Sequence, residues 1–265
     1  TSHPSDAQGR LNTLSYPDSG LVLTNVYNAY GYLSELRNNA DNSLFWRLNT
    51  MDAKGNILLQ EFGNGVRTEQ QFEDATQYLQ SIRSYYNATT LQHFTYQFND
   101  LAHLNQRRDE KRNKTESFEY DGTNRLIETK IDNVTATTLA YDELGNITYK
   151  SDVGYYEYGG VNNGPHRLLN VRTNNANVQC SFTLNINTVY TSFNKVKVIS
   201  NDTARVEVFY GPDQQRIMQK MYVRNVLTCT KLYIGGITEI ETFSNGKTKI
   251  THFIGGIGMQ VIETQ

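Results

Sequence analysis

The chain contains only two cysteines, Cys180 and Cys229, and only four prolines among 265 residues. Two cysteines so far apart form neither a disulfide framework nor a paired metal-ligand motif. Their number and spacing allow either a single disulfide bridge or two reduced thiols, and we favour buried thiols. No stretch approaches the roughly 20 apolar residues of a membrane-spanning helix, and residues 1–10 lack the basic and apolar regions of a signal peptide. We therefore expect no membrane span and no targeting signal in this chain.

Net charge and ligand-type side chains are also scarce. The formal charge is −2, so no electrostatic footprint for nucleic acid or an anionic membrane is present. Five scattered histidines show no metal-ligand spacing, neither cysteine lies in a nucleophile motif, and no pair of carboxylates can be assigned. The sequence therefore predicts no catalytic residue, no metal, no cofactor and no enzyme.

Two further local patterns have ordinary structural explanations. The mixed-charge segment from Arg107 to Lys114 is typical of a solvated hairpin tip. The pairs Gly235-Gly236 and Gly255-Gly256 lack the lysine and hydroxyl residue of a phosphate loop, and we interpret them as strand bends or bulges.

Aromatic and turn-forming residues are abundant. The chain has 18 Tyr, 11 Phe and 19 Gly, together with many Asn and Thr residues. Tyrosine, phenylalanine and threonine suit half-buried pleated surfaces, whereas asparagine and glycine favour turns. This composition is typical of an all-β protein.

A seven-residue pattern recurs every 21 to 26 residues. Its clearest copy spans 141–147: an aromatic residue, an acid, two variable residues, glycine, a polar residue and an aliphatic residue. Further copies span 27–33, 51–57, 72–78, 98–104 and 120–126. The aromatic residue ends a strand, the acid accepts turn N–H groups, the glycine or asparagine adopts positive φ, and the aliphatic residue begins the next strand. Each copy therefore predicts one hairpin.

We assign structural roles in this repeat to sixteen residues. They are Tyr27, Gly31, Leu33, Asp52, Gly55, Ile57, Tyr120, Asp121, Asn124, Leu126, Tyr141, Asp142, Gly145, Ile147, Tyr210 and Gly211. Thr76 and Ala102 occupy the glycine position of two weaker copies, so those turns must adopt another type or accept strain.

The repeat predicts an all-β fold, in which a continuous antiparallel sheet of hairpins forms a curved or spiralling wall. Local propensity also permits helices over Glu69–Arg83 and Ala102–Lys114, but both segments lie in register with the repeat, so strands are favoured. We expect helix in fewer than about a tenth of the residues. One array is predicted over 1–265, with a poorly patterned edge at 1–15, hairpins over 16–210 and late strands over 211–265.

With these motifs, the sequence resembles the Rhs/YD-repeat family, which includes bacterial Rhs polymorphic toxins, the B and C components of insecticidal Tc toxins, and teneurins. The segments Gly164–Leu168, Tyr210–Ile217, Lys231–Gly236 and Thr251–Gly256 add to the resemblance, which runs from about Tyr16 to Ile262.

The resemblance implies a hollow shell that encloses a C-terminal toxin or effector polypeptide, in a bacterial protein that is secreted or delivered by a secretion system. The partners would be the remainder of the shell and the enclosed polypeptide. The aspartate-containing cleavage motif of many relatives is not found, so we expect a shell segment upstream of that region. Two alternatives are an extracellular recognition module that binds glycans or a protein through exposed tyrosines, and a carbohydrate-processing enzyme with an acidic cleft.

Overall fold

The computed structural model of the chain is built from β-strands. It describes residues 4–17, 19–159, 164–173, 181–182 and 187–264, and these residues contain 24 strands and no helix. The expectation of an all-β fold with little helix is confirmed for this part of the chain. Cys180 lies outside the described residues.

The strands follow one another in chain order and form two sheets. The first sheet contains β1 (Thr13–Ser15), β2 (Val22–Tyr27), β3 (Leu33–Asn38), β4 (Leu44–Met51), β5 (Ile57–Phe62), β6 (Val66–Phe72), β7 (Leu79–Tyr86), β8 (Thr89–Phe98), β9 (Leu104–Asp109), β10 (Lys114–Tyr120), β11 (Leu126–Ile131), β12 (Val134–Tyr141), β13 (Ile147–Lys150), β14 (Gly154–Tyr158), β15 (Leu168–Thr173) and β16 (Ser181–Phe182). The second contains β17 (Asn187–Tyr190), β18 (Val196–Ser200), β19 (Ala204–Tyr210), β20 (Arg216–Val223), β21 (Val226–Ile234), β22 (Thr238–Phe243), β23 (Thr248–Ile254) and β24 (Gly258–Thr264).

Within each sheet every strand pairs with its neighbours in the sequence, so both sheets are series of hairpins. The pairing is antiparallel, as in the run from β9 to β12. By compactness the chain divides into one unit of residues 23–183 and another of residues 1–22 with 184–265. The sequence boundaries after residues 15 and 210 stay predictions.

The two segments with helical propensity are strands and turns. Glu69 on β6 lies opposite Arg83 on β7, and Tyr96 on β8 lies opposite Arg107 on β9. Local helix propensity amounts to a few tenths of a kcal/mol per residue, about 0.7 at most for ordinary residues, whereas pairing on both sides satisfies the backbone and packs one face of every strand. The prediction of strands over these segments is confirmed.

The fully buried core is small. Among the described residues of the unit 23–183 the buried apolar side chains are Leu23, Leu36 and Trp46, and among those of the other unit they are Tyr16, Leu21, Cys229 and Ile254. Many other large apolar side chains are only half buried. Stability is therefore spread over contacts between neighbouring strands, as in other repeat arrays.

The glycine pairs of the second sheet form tight hairpin turns, so the interpretation as strand bends or bulges is wrong. Gly235 and Gly236 have φ values of 58° and 71° and connect β21 to β22. Ile237 N–H donates to the Ile234 carbonyl at 3.1 Å. Two consecutive positive φ values are the requirement of a type I′ turn. Gly255-Gly256 has the same conformation between β23 and β24.

Candidate functional site

The repeated turns lie along one edge of each sheet, which we call the turn edge. In a series of antiparallel hairpins, alternate connections return to the same edge. In the first sheet these turns begin at residues 27, 51, 72, 98, 120, 141 and 158; in the second sheet they begin at residues 190 and 210. We number the residues of each turn from position 1, the aromatic residue or methionine that ends a strand, to position 7, which begins the next strand.

Two of these turns are not recognised by the sequence pattern. The turn at 190–196 begins with Tyr190 and ends with Val196, but Thr191 stands where an acid or asparagine is expected. Its signal is the asparagine at position 5, Asn194, which has a φ of 61°. The turn after Tyr158 is longer than seven residues and therefore falls outside a pattern of fixed length.

A bulge accompanies every turn, and its additional residue lies on the strand that follows the turn. The strand register shifts immediately before position 1 in each copy, for example between Ala140 and Tyr141. The same shift occurs before Tyr27, Met51, Phe72, Phe98, Tyr120, Tyr158, Tyr190 and Tyr210. The additional residue directly follows position 7, as Thr148 follows Ile147, so the start of the following strand bends in the same way in successive turns.

The acid at position 2 organises the turn. Asp142 Oδ1 accepts hydrogen bonds from the backbone N–H groups of Leu144 at 2.9 Å and Asn146 at 2.8 Å. The same two-bond arrangement is formed by Asn28, Asp52, Asn99 and Asp121. One side-chain oxygen thereby satisfies two N–H groups that the strands leave unpaired. This is the physical basis of the acid or asparagine in the repeat.

Position 5 takes a left-handed conformation. Gly31, Gly55 and Gly145 have φ values of 87°, 95° and 86°, and Asn124 has 68°. Only glycine adopts this region without cost, and asparagine tolerates it better than other residues. Ala102 also adopts it, with a φ of 66°. That turn therefore accepts strain, which was one of the two outcomes expected for it.

Relief of this strain gives a first prediction. We expect Ala102→Gly to stabilise the chain by about 1 kcal/mol, because it removes the steric penalty of a left-handed alanine. Urea unfolding followed by circular dichroism measures the change. Ala75→Gly, in a neighbouring turn and without positive φ, is the matched control and should be neutral or slightly destabilising. Equal effects of the two changes would contradict the strain at Ala102.

The turn after Phe72 adopts another turn type, which was the second outcome expected for these two turns. Phe72 pairs with Leu79, so this turn has one additional residue, and Gln77 takes positive φ at 65°. The alignment that placed Tyr78 at the closing position is therefore wrong, and Thr76 needs no left-handed conformation. Thr76 Oγ1 instead donates to Glu73 Oε2 at 2.5 Å.

In the turn after Tyr210, Gly211 occupies position 2, and Gln214 takes positive φ at 56°.

In four turns the tyrosine at position 1 forms a hydrogen bond to the preceding turn. Tyr141 Oη donates to the carbonyl of Leu126, which closes the preceding turn, at 2.8 Å. The equivalent bonds join Tyr120 to Leu104, Tyr158 to Ile147 and Tyr210 to Val196, at 2.8, 3.1 and 2.7 Å. The hydroxyl is the difference between tyrosine and phenylalanine, so these bonds account for the preference for tyrosine. We call them backward ties.

A single hydroxyl deletion tests the contribution of a backward tie. We expect Tyr141→Phe to lower the free energy of unfolding by about 1 kcal/mol, because it leaves the ring in place and removes one partly buried hydrogen bond. Tyr155→Phe is the matched control, since the Tyr155 side chain is exposed and its hydroxyl bonds to no described residue. Thermal unfolding of both variants measures the difference, and an equal loss in both would refute the role of the tie.

In four turns the side chain at position 6 forms a hydrogen bond to the following turn. Asn56 Nδ2 donates to Gln77 Oε1 at 2.7 Å, and Lys195 Nζ donates to the Gln214 carbonyl at 3.0 Å. Asn146 Nδ2 donates to the Pro165 carbonyl at 3.1 Å. We call these bonds forward ties. Backward and forward ties occur together at three junctions, between the turns that begin at 120 and 141, at 141 and 158, and at 190 and 210.

Arg125 forms the most extensive forward tie. Its Nη1 donates to the Asp142 carbonyl at 3.1 Å, and its Nη2 lies 2.7 Å from Asp121 Oδ2 in its own turn. The guanidinium carbon also lies 4.7 Å from the centre of the Tyr141 ring. One side chain thus contacts a carboxylate, a carbonyl and an aromatic face.

The position-2 carboxylates have depressed pKa values. The side-chain hydrogen bonds from Asn56 and Asn146 are the main reason that the pKa values of Asp52 and Asp142 lie below the ordinary range. The pKa of Asp121 is lowered chiefly by the backbone N–H of Arg125. Hydrogen bonds to the ionised form favour that form, because protonation would remove an acceptor.

These shifts predict the pH dependence of stability. A depressed pKa in the folded state contributes stability above the unfolded pKa of about 3.9 for aspartate, and the contribution is lost as the pH falls below it. We therefore expect a constant melting temperature from pH 7 to pH 5 and a decrease below about pH 4. Asp142→Asn should reduce the steepness of that decrease. A melting temperature that already falls between pH 7 and pH 5 would contradict this assignment.

The described side chains that could act in catalysis or bind a metal do not lie together in one site. Within the described residues no group of three His, Cys, Asp or Glu side chains is arranged to hold a metal ion. His166 Nδ1 lies 2.6 Å from Asn146 Oδ1, whereas His252 is completely buried and lies 2.9 Å from Thr238 Oγ1. Cys229 is a buried free thiol, as favoured by the sequence, and burial raises its pKa.

The mixed-charge segment is a hairpin tip between β9 and β10, as predicted. Its basic side chains form ion pairs: Arg107 with Glu116 at 2.5 Å and Lys114 with Asp132 at 2.6 Å. In the described part of the chain no helix is long and apolar enough to span a membrane.

Comparison with known proteins identifies the fold. No family model and no curated protein sequence matches the chain. Among solved structures it is similar to chains of "TcdB2-TccC3-TEV" (TM-score 0.72, 17% identity) and "TcdB2-TccC3-Cdc42" (0.76, 16%). It is also similar to a chain of "TcdB2-TccC3 without hypervariable C-terminal region" (0.74, 17%). Each match covers 97% of this chain and 15% of the other chain. The chain therefore has the fold of a segment of these proteins and spans about 15% of their length.

Proposed function

We propose that this chain is a wall segment of an Rhs/Tc-type shell that encloses a toxin or effector polypeptide. The observation that carries the proposal is the turn edge, where backward or forward ties join neighbouring hairpins at five of the seven described junctions. Such joints favour a long sheet, because each hairpin gains stability only from its neighbours. The fold shared with TcdB2-TccC3 chains supports the same role.

The proposed role is structural and requires no reaction at this chain. The polar groups that recur along the turn edge are occupied by turn and inter-turn hydrogen bonds, as shown by Asp142 with Leu144 and Asn146. We propose that the protein acts outside the bacterial cell after secretion or delivery, as the resemblance to Rhs and Tc toxins implies. Its partners would be the remainder of the shell and the enclosed polypeptide.

The alternative of an aromatic recognition surface for glycans has less support. The most exposed tyrosine, Tyr30, lies in the turn between β2 and β3, whereas Tyr155 lies on β14 and Tyr190 ends β17. Aromatic platforms for ligands bring several rings into one surface. These tyrosines lie on separate hairpins, so they favour a wall over a platform.

Expression of the complete reading frame that contains this chain tests the proposal. We expect electron cryo-microscopy to show a closed shell with polypeptide density inside, and limited proteolysis to leave the enclosed polypeptide intact until the shell is denatured. A triple variant of Tyr120, Tyr141 and Tyr210 to phenylalanine should make the enclosed polypeptide more accessible to protease. An open sheet without enclosed density, or binding of this chain to a glycan array, would contradict the shell role.

A further inference from the structure

The junction between the turns at 72–79 and 98–104 is irregular. Both turns begin with phenylalanine, Phe72 and Phe98, so the second has no hydroxyl for a backward tie to the first. The first turn carries the additional residue, which places Tyr78 after the left-handed Gln77 and therefore at position 6. Tyr78 packs its ring on Phe98, with centroids 5.0 Å apart, where four other turns have a polar forward tie.

This junction contains a groove of about 590 Å³. Its aromatic lining is Tyr78, Tyr96 and Phe98, and its carboxylates are Glu73 and Asp100. The amide residues Gln80, Gln97 and Asn99 complete most of the lining, and no lysine or arginine lines it. The volume lies within the range of small-molecule pockets, about 300–1,000 Å³. The charge of the lining is negative, so the groove favours a cation over an anion.

Several polar groups of the groove have no partner among the described residues. The carboxylate of Asp100, the amide of Gln80 and the hydroxyls of Tyr78 and Tyr96 form no hydrogen bond to another described residue, whereas Glu73 uses one oxygen to accept from Thr76. These groups are therefore available to a ligand without breaking a contact of the fold.

The junction between the turns that begin at 120 and 141, where Arg125 lies, shows which chemical group fits the groove. The Arg125 guanidinium contacts the position-2 carboxylate of its own turn, the position-1 ring of the next turn and the position-2 carbonyl of the next turn. In the groove, Glu73, Phe98 and Asn99 occupy those three positions. The groove thus shares the carboxylate, ring and carbonyl positions of that junction, but the Tyr78 ring lies on Phe98 in the place of the guanidinium. An incoming cation therefore meets the carboxylates of Glu73 and Asp100 and the rings of Tyr78 and Tyr96.

Elsewhere in the chain, cations lie over aromatic rings repeatedly. The guanidinium carbons of Arg205 and Arg216 lie 4.2 and 5.3 Å from the ring centres of Tyr222 and Tyr233. A planar guanidinium stacks on such a ring and pairs with a carboxylate at the same time. We propose that the groove binds an arginine side chain of a partner polypeptide. This goes beyond the wall role and does not depend on it.

The test is a titration of the whole chain, labelled with ¹³C in its aromatic rings, with N-acetyl-arginine amide and followed by NMR. We expect shifts of the Tyr78, Tyr96 and Phe98 rings with a dissociation constant in the millimolar range. The citrulline derivative, which replaces guanidinium by a neutral urea, should cause none. Comparable shifts with citrulline, with the lysine derivative or with maltose would overturn the guanidinium assignment.

Variants locate the site. Asp100→Asn should raise the dissociation constant about threefold, the effect of a partly exposed ion pair. Asp74→Asn, on the same turn edge but outside the groove lining, is the matched control and should leave it unchanged. Tyr78→Arg supplies a guanidinium at position 6 and should abolish binding of the derivative. Unchanged binding by either Asp100→Asn or a folded Tyr78→Arg protein would refute the proposal.

Discussion

Replacement of Trp46 by alanine is expected to destabilise the chain by about 3–5 kcal/mol, the usual range for a buried aromatic residue. The Trp46 side chain is 7% exposed and lies on β4 opposite Leu36 of β3 and Phe62 of β5. Its Nε1 also donates to Gln60 Oε1 at 2.7 Å. The loss therefore combines apolar burial, a cavity and one hydrogen bond.

The effect should be concentrated near the substitution. Leu23, Leu36 and Trp46 are the buried apolar side chains described in the unit of residues 23–183, and all three lie on β2 to β4. Hydrogen exchange should therefore quicken most in β3, β4 and β5, because repeat arrays couple mainly through nearest neighbours.

Chemical unfolding of Trp46→Ala, measured beside Leu144→Ala, provides the quantitative check. Leu144 is 61% exposed in a turn, so its truncation should change the free energy of unfolding by less than about 0.5 kcal/mol. A Trp46→Ala loss below about 1 kcal/mol would show that this small core does not dominate the stability of its region.

Gly63→Ala is expected to destabilise the chain nearly as much as Trp46→Ala, because the added methyl group overpacks the site. A Cβ atom at Gly63 would lie 1.9 Å from the Leu44 carbonyl oxygen and 2.9 Å from its carbon. Both contacts are with backbone, so the strand end must move, and the Gly63 N–H bond to the Phe45 carbonyl at 2.9 Å is then strained or lost. We expect a loss of about 3 kcal/mol, the upper end of ordinary overpacking.

Gly122→Ala is the matched control for this prediction. Gly122 lies in the turn after Tyr120, its φ is not positive, and an added Cβ would meet no atom within 4 Å. It should be neutral or stabilising by about 0.4–1 kcal/mol, because alanine restricts the unfolded chain more than glycine. Equal melting temperatures for the two variants would show that the approach of Gly63 to Leu44 is relaxed in solution.

The individual turns are largely readable from the sequence. In the turn at 141–147, the acid at position 2 and the glycine at position 5 have the positions predicted for them, because both preferences arise from local backbone geometry. The same reasoning failed at Tyr78, where an insertion shifted the alignment by one residue. It also failed at Gly235-Gly236, because a glycine pair suits a bulge and a tight turn equally and only the pairing of β21 with β22 distinguishes them.

The ties between turns were not predicted. The Tyr141 hydroxyl bonds to Leu126 and the Asn146 amide bonds to Pro165, residues that lie 15 and 19 positions away. No pattern within one repeat shows these bonds, since they depend on the register between strands and on the bulge that follows each turn. The groove at Phe98 was missed for the same reason, because it exists only where two irregular turns meet.

The sequence by itself determined that this protein is an all-β series of hairpins with Asp-and-Gly turns, because the spacing of these residues acts through local backbone preferences. The tertiary structure alone decided how consecutive turns are joined, where the small core around Trp46 lies and where the turn edge opens into an acidic, aromatic groove. Those features arise from side chains that meet across strands, and their distances follow from pairing and packing rather than from order along the chain.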